Sequence, residues 1–229
     1  MLRISAIASV IGRGQRTFAF LLDLLYPPRC GGCGKYGEGW WCTACNNRTQ
    51  WLNARDSRVS LELPSGQSLT VISAANFGPP LREGIHCFKY EGQPQLAEAF
   101  AAHMSAIAKA NALSADGIVP VPLHATRLKE RGFNQSLLLA RHISAALGRP
   151  VEARALQRIR PTQQQAHLSA TARKENMRGA FAALPERVQG RALMLVDDVL
   201  TTGATLVECA HVLYEAGAQH VVALTLARA

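Results

Sequence analysis

Thirteen residues near the end of the chain bring unlike groups together: Leu193-Met194-Leu195-Val196-Asp197-Asp198-Val199-Leu200-Thr201-Thr202-Gly203-Ala204-Thr205. Four apolar residues in a row fit a central parallel strand. Two adjacent carboxylates follow, and then a loop of small and hydroxyl residues that opens a helix. Thr201, Thr202 and Thr205 offer hydroxyls, while Gly203 and Ala204 let backbone N–H groups come close to a ligand. The start of the helix adds a dipole favourable to anions. Such a loop can cradle a phosphate monoester. Asp197 and Asp198 would repel that phosphate, so they must face another part of the ligand. Sugar hydroxyls suit them, met directly or through Mg2+. The plainer alternative is a strand-to-helix turn with an N-cap, but capping alone accounts for neither the acid pair nor the three threonines.

A second cluster lies near the N-terminus. Cys30, Cys33, Cys42 and Cys45 are written C-x2-C-x8-C-x2-C. Two such knuckles supply four thiolates to a tetrahedral zinc, a closed site with a structural role. Gly31, Gly32 and Gly34 ease the first turn and Ala44 the second, and the short spacer suits a ribbon hairpin. A pair of disulfides or a redox CxxC is the alternative. Cys87 and Cys209 stand alone and read as buried apolar residues or surface thiols. Reduced zinc thiolates imply a cytoplasmic protein. Phe18 to Tyr26 is too short to span a bilayer and contains Asp23, so no stable membrane insertion is expected. A short helix packed on the cysteine module is expected there instead.

The chain has 229 residues, 48% hydrophobic and 18% charged, which excludes a disordered polymer. Its formal charge of +9 points to an anionic partner. Thirteen Lys and Arg against four Asp and Glu fall between His124 and Arg191, and the rest of the chain carries twelve of each sign. The excess therefore belongs to one central stretch and not to a basic tail.

The elements that must position these groups alternate. A strand is expected over Val71–Phe77, a helix over Gln95–Ala110 and a buried strand at Gly117–Pro122. Asn134 is placed to cap a helix ending at Leu147, stopped by Gly148 and Pro150. A strand at Leu193–Val196, a helix closed by Gly217 and a strand at Val221–Leu226 complete the series. This is an α/β chain with a mostly parallel sheet. Leu81–Tyr90 mixes apolar and charged residues, and 157–180 is polar and rich in Arg and Gln. The expected organisation is an N-terminal helix and four-cysteine module over residues 1–58, followed by one domain over 59–229.

The 193–205 pattern resembles the phosphoribosyl-diphosphate (PRPP) motif of type I phosphoribosyltransferases. Four hydrophobics, two acids and TTGxT make a specific match, although many members have a second Gly where Ala204 stands. That resemblance implies that Asp197 and Asp198, the candidate catalytic residues, hold the ribose 2′- and 3′-hydroxyls. Thr201, Thr202, Gly203, Ala204 and Thr205 would hold the 5′-phosphate. Val119-Pro120-Val121-Pro122-Leu123 looks like the family's pyrophosphate loop. Arg127, Lys129 and Arg131 follow it as pyrophosphate-binding candidates, with a solvated helix face as their alternative. The 157–180 segment sits where the family has a mobile flap, so Arg173 and Lys174 join those candidates, with Arg158, Arg160 and Arg178 nearby.

LLDLLYPPRCGGCG, WCTAC, FKYEGQ, VPVPLHATRLKERGFNQS, RPTQQQAHLSATARKENMRGAF and VDDVLTTGAT together look like the ComF family, over roughly residues 18–228. The resemblance implies a type I phosphoribosyltransferase-like sheet flanked by helices, preceded by a zinc ribbon. It implies structural Zn2+, Mg2+ with PRPP or a related sugar phosphate, and release of pyrophosphate to an acceptor the residues do not specify. ComF members are associated with DNA uptake in natural transformation. The alternative function is therefore a non-catalytic accessory or scaffold that binds single-stranded DNA or a competence helicase. The basic stretch interleaves only Phe133 and Phe181, which supports base stacking poorly. Trp40-Trp41 could serve a partner, or fill the cysteine module's small core. The sequence sets no oligomeric state.

Overall fold

The computed structural model describes residues 27–161 and 175–229. The helix expected before Pro27, together with Gln165, Leu168, Arg173 and Lys174, lies outside the described residues.

In chain order the elements are helix α1 (Thr43–Arg48), strands β1 (Arg58–Glu62) and β2 (Ser68–Asn76), and helices α2 (Leu81–Tyr90) and α3 (Leu96–Ala110). Strand β3 (Gly117–Pro120) follows, then helices α4 (Ala125–Arg131) and α5 (Gln135–Leu147) and the short strands β4 (Leu156–Arg158) and β5 (Phe181–Ala183). The chain continues through α6 (Pro185–Val188), β6 (Ala192–Leu200), α7 (Ala204–Glu215) and β7 (His220–Arg228).

Five strands form one sheet in the order β1-β2-β7-β6-β3. Strand β1 runs antiparallel to β2, and the other neighbours are parallel. The period-2 geometry of a strand sorts its residues between two cores. Met194, Val196, Val222 and Leu224 face α2, α3 and α5. Leu193, Leu195, Val221 and Ala223 face α7 and the segment around Phe181. Both faces are covered, which is why β6 reads as an unbroken apolar run.

Two elements depart from the sequence reading. Leu81–Tyr90 is a helix, its Leu81, Ile85 and Phe88 buried at i, i+4 and i+7. Strand β6 continues to Leu200, because its ladder with β7 persists through Asp197↔Thr225, Val199↔Ala227 and Leu200↔Arg228. The acid pair therefore stands within a strand, and only Thr201–Gly203 turn before α7.

The cysteine module packs on the helical face. Trp41 lies between Gly32 and Gly84, where an added Cβ on either glycine would come within 2.7 Å or 2.6 Å of the indole. Its ring meets Phe100 edge-on at 5.2 Å. Trp51 stacks on His103 at 3.5 Å, and the indole N–H of Trp51 donates to the Asn46 carbonyl. The connector is also stitched to β2, since Leu52 N–H donates to Ala74 and Asn76 N–H to Gln50. Trp41 is thus part of the packing between module and sheet domain.

Candidate functional site

The carboxyl end of β6 carries the acid pair. Asp197 and Asp198 are 9% and 4% exposed. Asp197 Oδ1 accepts the Ser136 hydroxyl at 2.9 Å and the backbone N–H of Asp198 at 2.9 Å. Ser136 stands in the first turn of α5. Asn134 caps that helix, accepting the N–H groups of Ser136 and Leu137. The helix thus directs both a hydroxyl and its positive dipole end at Asp197. Burial first, and then the charge of Asp198, push the Asp197 carboxyl up to about 7; Lys89 and the hydrogen bonds oppose this.

Asp198 is held differently. Lys89, from the last turn of α2, places its ammonium 2.7 Å from Asp198 Oδ1. The other carboxylate oxygen, Oδ2, is buried and has no hydrogen-bond partner among the described residues. Ser136 is not identified as a site residue by the sequence, and Lys89 is read there, with Tyr90, only as a candidate for the acceptor pocket. RGFNQS contains Ser136 and the Asn134 cap fixes its place on α5, but its partner across 61 residues is set by packing. Lys89 follows the apolar stripe of α2, the only sequence signal for its position.

The loop after β6 carries the five PRPP-binding candidates. Gly203 is left-handed at φ 77°, and an added Cβ would lie 2.5 Å from Leu61 Cδ1. The left-handed backbone favours glycine here, and any other residue would be strained and would also require Leu61 to shift. Ala204 opens α7. Thr202 Oγ1 is buried without a partner among the described residues, and the Thr205 hydroxyl meets Met177 Sδ at 3.5 Å. Thr201, Gly203, Ala204 and Thr205 line one cleft together with Asp197.

The loop leaving β3 runs beside this site, since Val121 N–H donates to Val196 O and Asn134 Nδ2 donates to Val121 O. It leads into α4, which carries Arg127, Lys129 and Arg131. Arg127 faces Glu130 at 3.5 Å and Lys129 is exposed. Arg131 is drawn elsewhere: its guanidinium lies over the Tyr90 ring at 5.1 Å and donates to Gln135 Oε1. On the other side of the sheet, β4 and β5 pair where residues 157–180 leave and return. Arg160 donates to the carbonyls of Asn176 and Arg178, and Gly179 N–H donates to Glu208 Oε1 on α7 at 2.6 Å.

In the module on the helical face, the sulfurs of Cys30, Cys33, Cys42 and Cys45 all lie within 4.8 Å of one another. Cys30–Cys45 and Cys33–Cys42 are each separated by 3.7 Å. Four sulfurs bound to one tetrahedral zinc stand about 3.8 Å apart, given Zn–S bonds of about 2.3 Å. The donor set and spacing fit zinc, and all six cysteines are free thiols. The second knuckle opens helix α1, with Cys42 as its N-cap, where a returning ribbon strand would be the simpler hairpin. Cys209 is buried, and the half-buried Cys87 donates to the Gly31 carbonyl at 3.4 Å.

Residues 21–57 match the model of the double zinc ribbon domain. The DNA utilization protein YhgH of Escherichia coli K12 is 34% identical over 213 residues, covering 83% of this chain and 92% of that protein. Competence protein F of Haemophilus influenzae is 30% identical over 208 residues, covering 87% of this chain and 90% of that one. The chain belongs to the ComF family. Its fold is a zinc-ribbon module followed by a mostly parallel five-stranded sheet flanked by helices. Among solved structures, the glutamine PRPP amidotransferase of Bacillus subtilis aligns with a TM-score of 0.43 and 23% identity, over 60% of this chain and 30% of that one. No helix among the described residues is long and apolar enough to cross a membrane.

Proposed function

We propose that this ComF protein binds PRPP and transfers its ribose 5-phosphate to an acceptor, releasing pyrophosphate. The observation that carries the proposal is the acid pair on β6, set one short turn before a glycine-started helix whose loop presents threonine hydroxyls. Asp197 and Asp198 accept the ribose hydroxyls, and the loop N–H groups with Thr201, Thr202 and Thr205 take the 5′-phosphate. Arg127 and Lys129 on α4 are the candidates for holding the diphosphate, and Arg173 and Lys174 are candidates from the sequence. The orphaned Oδ2 of Asp198 is an acceptor suited to a ribose hydroxyl. Mg2+, carried in with the diphosphate, supplies charge neutralisation on the leaving group.

Little acid–base chemistry is asked of the protein. Displacement at the ribose C1 passes through an oxocarbenium-like state. Holding both reactants in line can contribute on the order of 7–11 kcal/mol, and cations placed on the departing diphosphate add to it. The experiment is a pyrophosphate-release screen with PRPP·Mg2+ over nucleobases and amines. Release that depends on acceptor, and is lost in Asp197→Ala/Asp198→Ala, supports transfer; no release with any acceptor leaves PRPP binding without catalysis.

A role in DNA handling is a second reading. The relatives' names, DNA utilization protein and competence protein F, favour it, as does the basic excess between His124 and Arg191. Phosphate contacts of this kind are steeply salt-dependent, so absence of single-stranded DNA binding at low salt counts against it.

A further inference from the structure

Lys89 is not an ordinary surface lysine. Its side chain is 19% exposed and its ammonium stands 2.7 Å from a carboxylate that is itself 5% exposed. The helix end that carries it is pinned on both sides. Phe88 is fully buried, with Phe100 at 5.9 Å and Phe133 at 5.7 Å. Tyr90 lies beneath the Arg131 guanidinium. Helix α2 is held along its length as well, with Gly84 against Trp41 and Cys87 against the Gly31 carbonyl.

Two buried carboxylates side by side repel each other and repel an incoming phosphate. A buried charge left unpaired is costly, so such a pair calls for a compensating cation. Here an ammonium of the protein itself already pairs with Asp198. It occupies Oδ1 of Asp198 and leaves Oδ2 with no donor among the described residues. A divalent ion settling on Asp198 would have to approach that ammonium against like-charge repulsion. A sugar hydroxyl meets no such barrier, because it can donate to Oδ2 while Lys89 stays in place.

We infer that Lys89 is the built-in counter-cation and positioning residue of the acid pair, so that the ribose-phosphate end of the ligand binds without a divalent metal. This rests on the proposal that the site takes a ribose 5-phosphate group. Mg2+ is then needed only by the diphosphate end. Lys89 acts through Asp198: it fixes the carboxylate's orientation and halves its charge problem.

Ribose 5-phosphate is the discriminating probe, because it lacks the diphosphate that carries Mg2+ into the site. The full-length, zinc-loaded protein is titrated calorimetrically with it in magnesium-free buffer and again with Mg2+. The wild type is expected to bind equally in both, within about twofold. Lys89→Met is expected to bind at least tenfold more weakly without Mg2+ and to recover with it, whereas Lys89→Arg stays independent of the metal. A role confined to stability would lower the melting temperature without creating a metal requirement. If Lys89→Met does not fold, the wild type and Lys89→Arg still decide. Binding of ribose 5-phosphate by the wild type only with Mg2+ overturns the inference, as does unchanged metal-free binding by a folded Lys89→Met. If the wild type binds PRPP·Mg2+ in these cases, the functional reading stands and this inference alone fails. If neither PRPP nor ribose 5-phosphate binds in either buffer, both fall together.

Discussion

The cysteine cluster and the aspartate pair both crowd acidic groups into buried space. The cysteines come from one short stretch, residues 30–45, and their sulfurs meet one another and the N–H groups of Cys42 and Cys45. The aspartates come from one strand, but their partners arrive from elsewhere: Lys89 from α2 and Ser136 from α5. The donor set of one cluster fits an external ion, whereas the other is partly neutralised by the fold. The cysteine module should therefore fail locally and sharply when a ligand is lost. The aspartate site should respond in graded ways, through affinity and pH.

Removing a cysteine should have the largest effect. Cys42→Ser is expected to lower zinc content from one per chain to none. Isolated structural zinc sites are worth about 10–16 kcal/mol. Loss of even about 3 kcal/mol from a domain this size lowers Tm by roughly 6–12 °C. Metal analysis with differential scanning calorimetry checks both, and full zinc occupancy in the variant would contradict the four-thiolate site.

Trp41→Ala tests whether the module and the sheet domain are one packed body. The indole fills the space between Gly32, Gly84 and Phe100. Its loss should cost about 3–5 kcal/mol, read from denaturant unfolding. A cost below about 1 kcal/mol would mean that the tryptophan serves a partner surface.

The contiguous features were legible in the sequence. The DDVLTTGAT run, the two CxxC knuckles and the Asn134 cap each carry their chemistry within a few residues, so spacing alone specifies them. The parallel sheet was legible for the same reason, because Leu193–Val196 and Val221–Leu226 are apolar on both faces. Lys89 and Ser136 were not, since their roles depend on which helix end the packing brings to β6. Helix α2 had a signal in Leu81, Ile85 and Phe88, masked by the charged residues between them. The extension of β6 through Asp198 was hidden because carboxylates inside a strand are unusual without partners, and those partners are tertiary.

On the aspartate side, the raised Asp197 carboxyl makes a signed prediction. An unfolded aspartate titrates near 3.9, and Asp197 in the folded chain near 7. Between those values the folded state binds more protons than the unfolded one. Its contribution to stability is fully present below about pH 4 and is lost as pH rises toward 7. The slope approaches about 1.4 kcal/mol per pH unit at most. Asp197→Asn should remove that slope and gain on the wild type between pH 5 and pH 7.5, measured by urea unfolding. Parallel curves for the two proteins would show that Asp197 is ionised throughout.

The smallest structural effect is expected at α4. Lys129 is exposed, so Lys129→Ala should change stability by less than about 0.5 kcal/mol. It should still weaken PRPP·Mg2+ binding a few-fold, with a shallower salt dependence. Unaltered affinity would assign Lys129 to the solvated face of the helix.

The central claim is that the two aspartates on β6 form a ribose-phosphate site. Its most direct test is calorimetric titration of PRPP·Mg2+ into the full-length protein and into Asp197→Ala/Asp198→Ala, with circular dichroism to confirm the fold. Saturable binding by the wild type, and loss of at least a hundredfold in affinity in the folded double variant, is the expected result. Equal binding by both proteins would contradict the account.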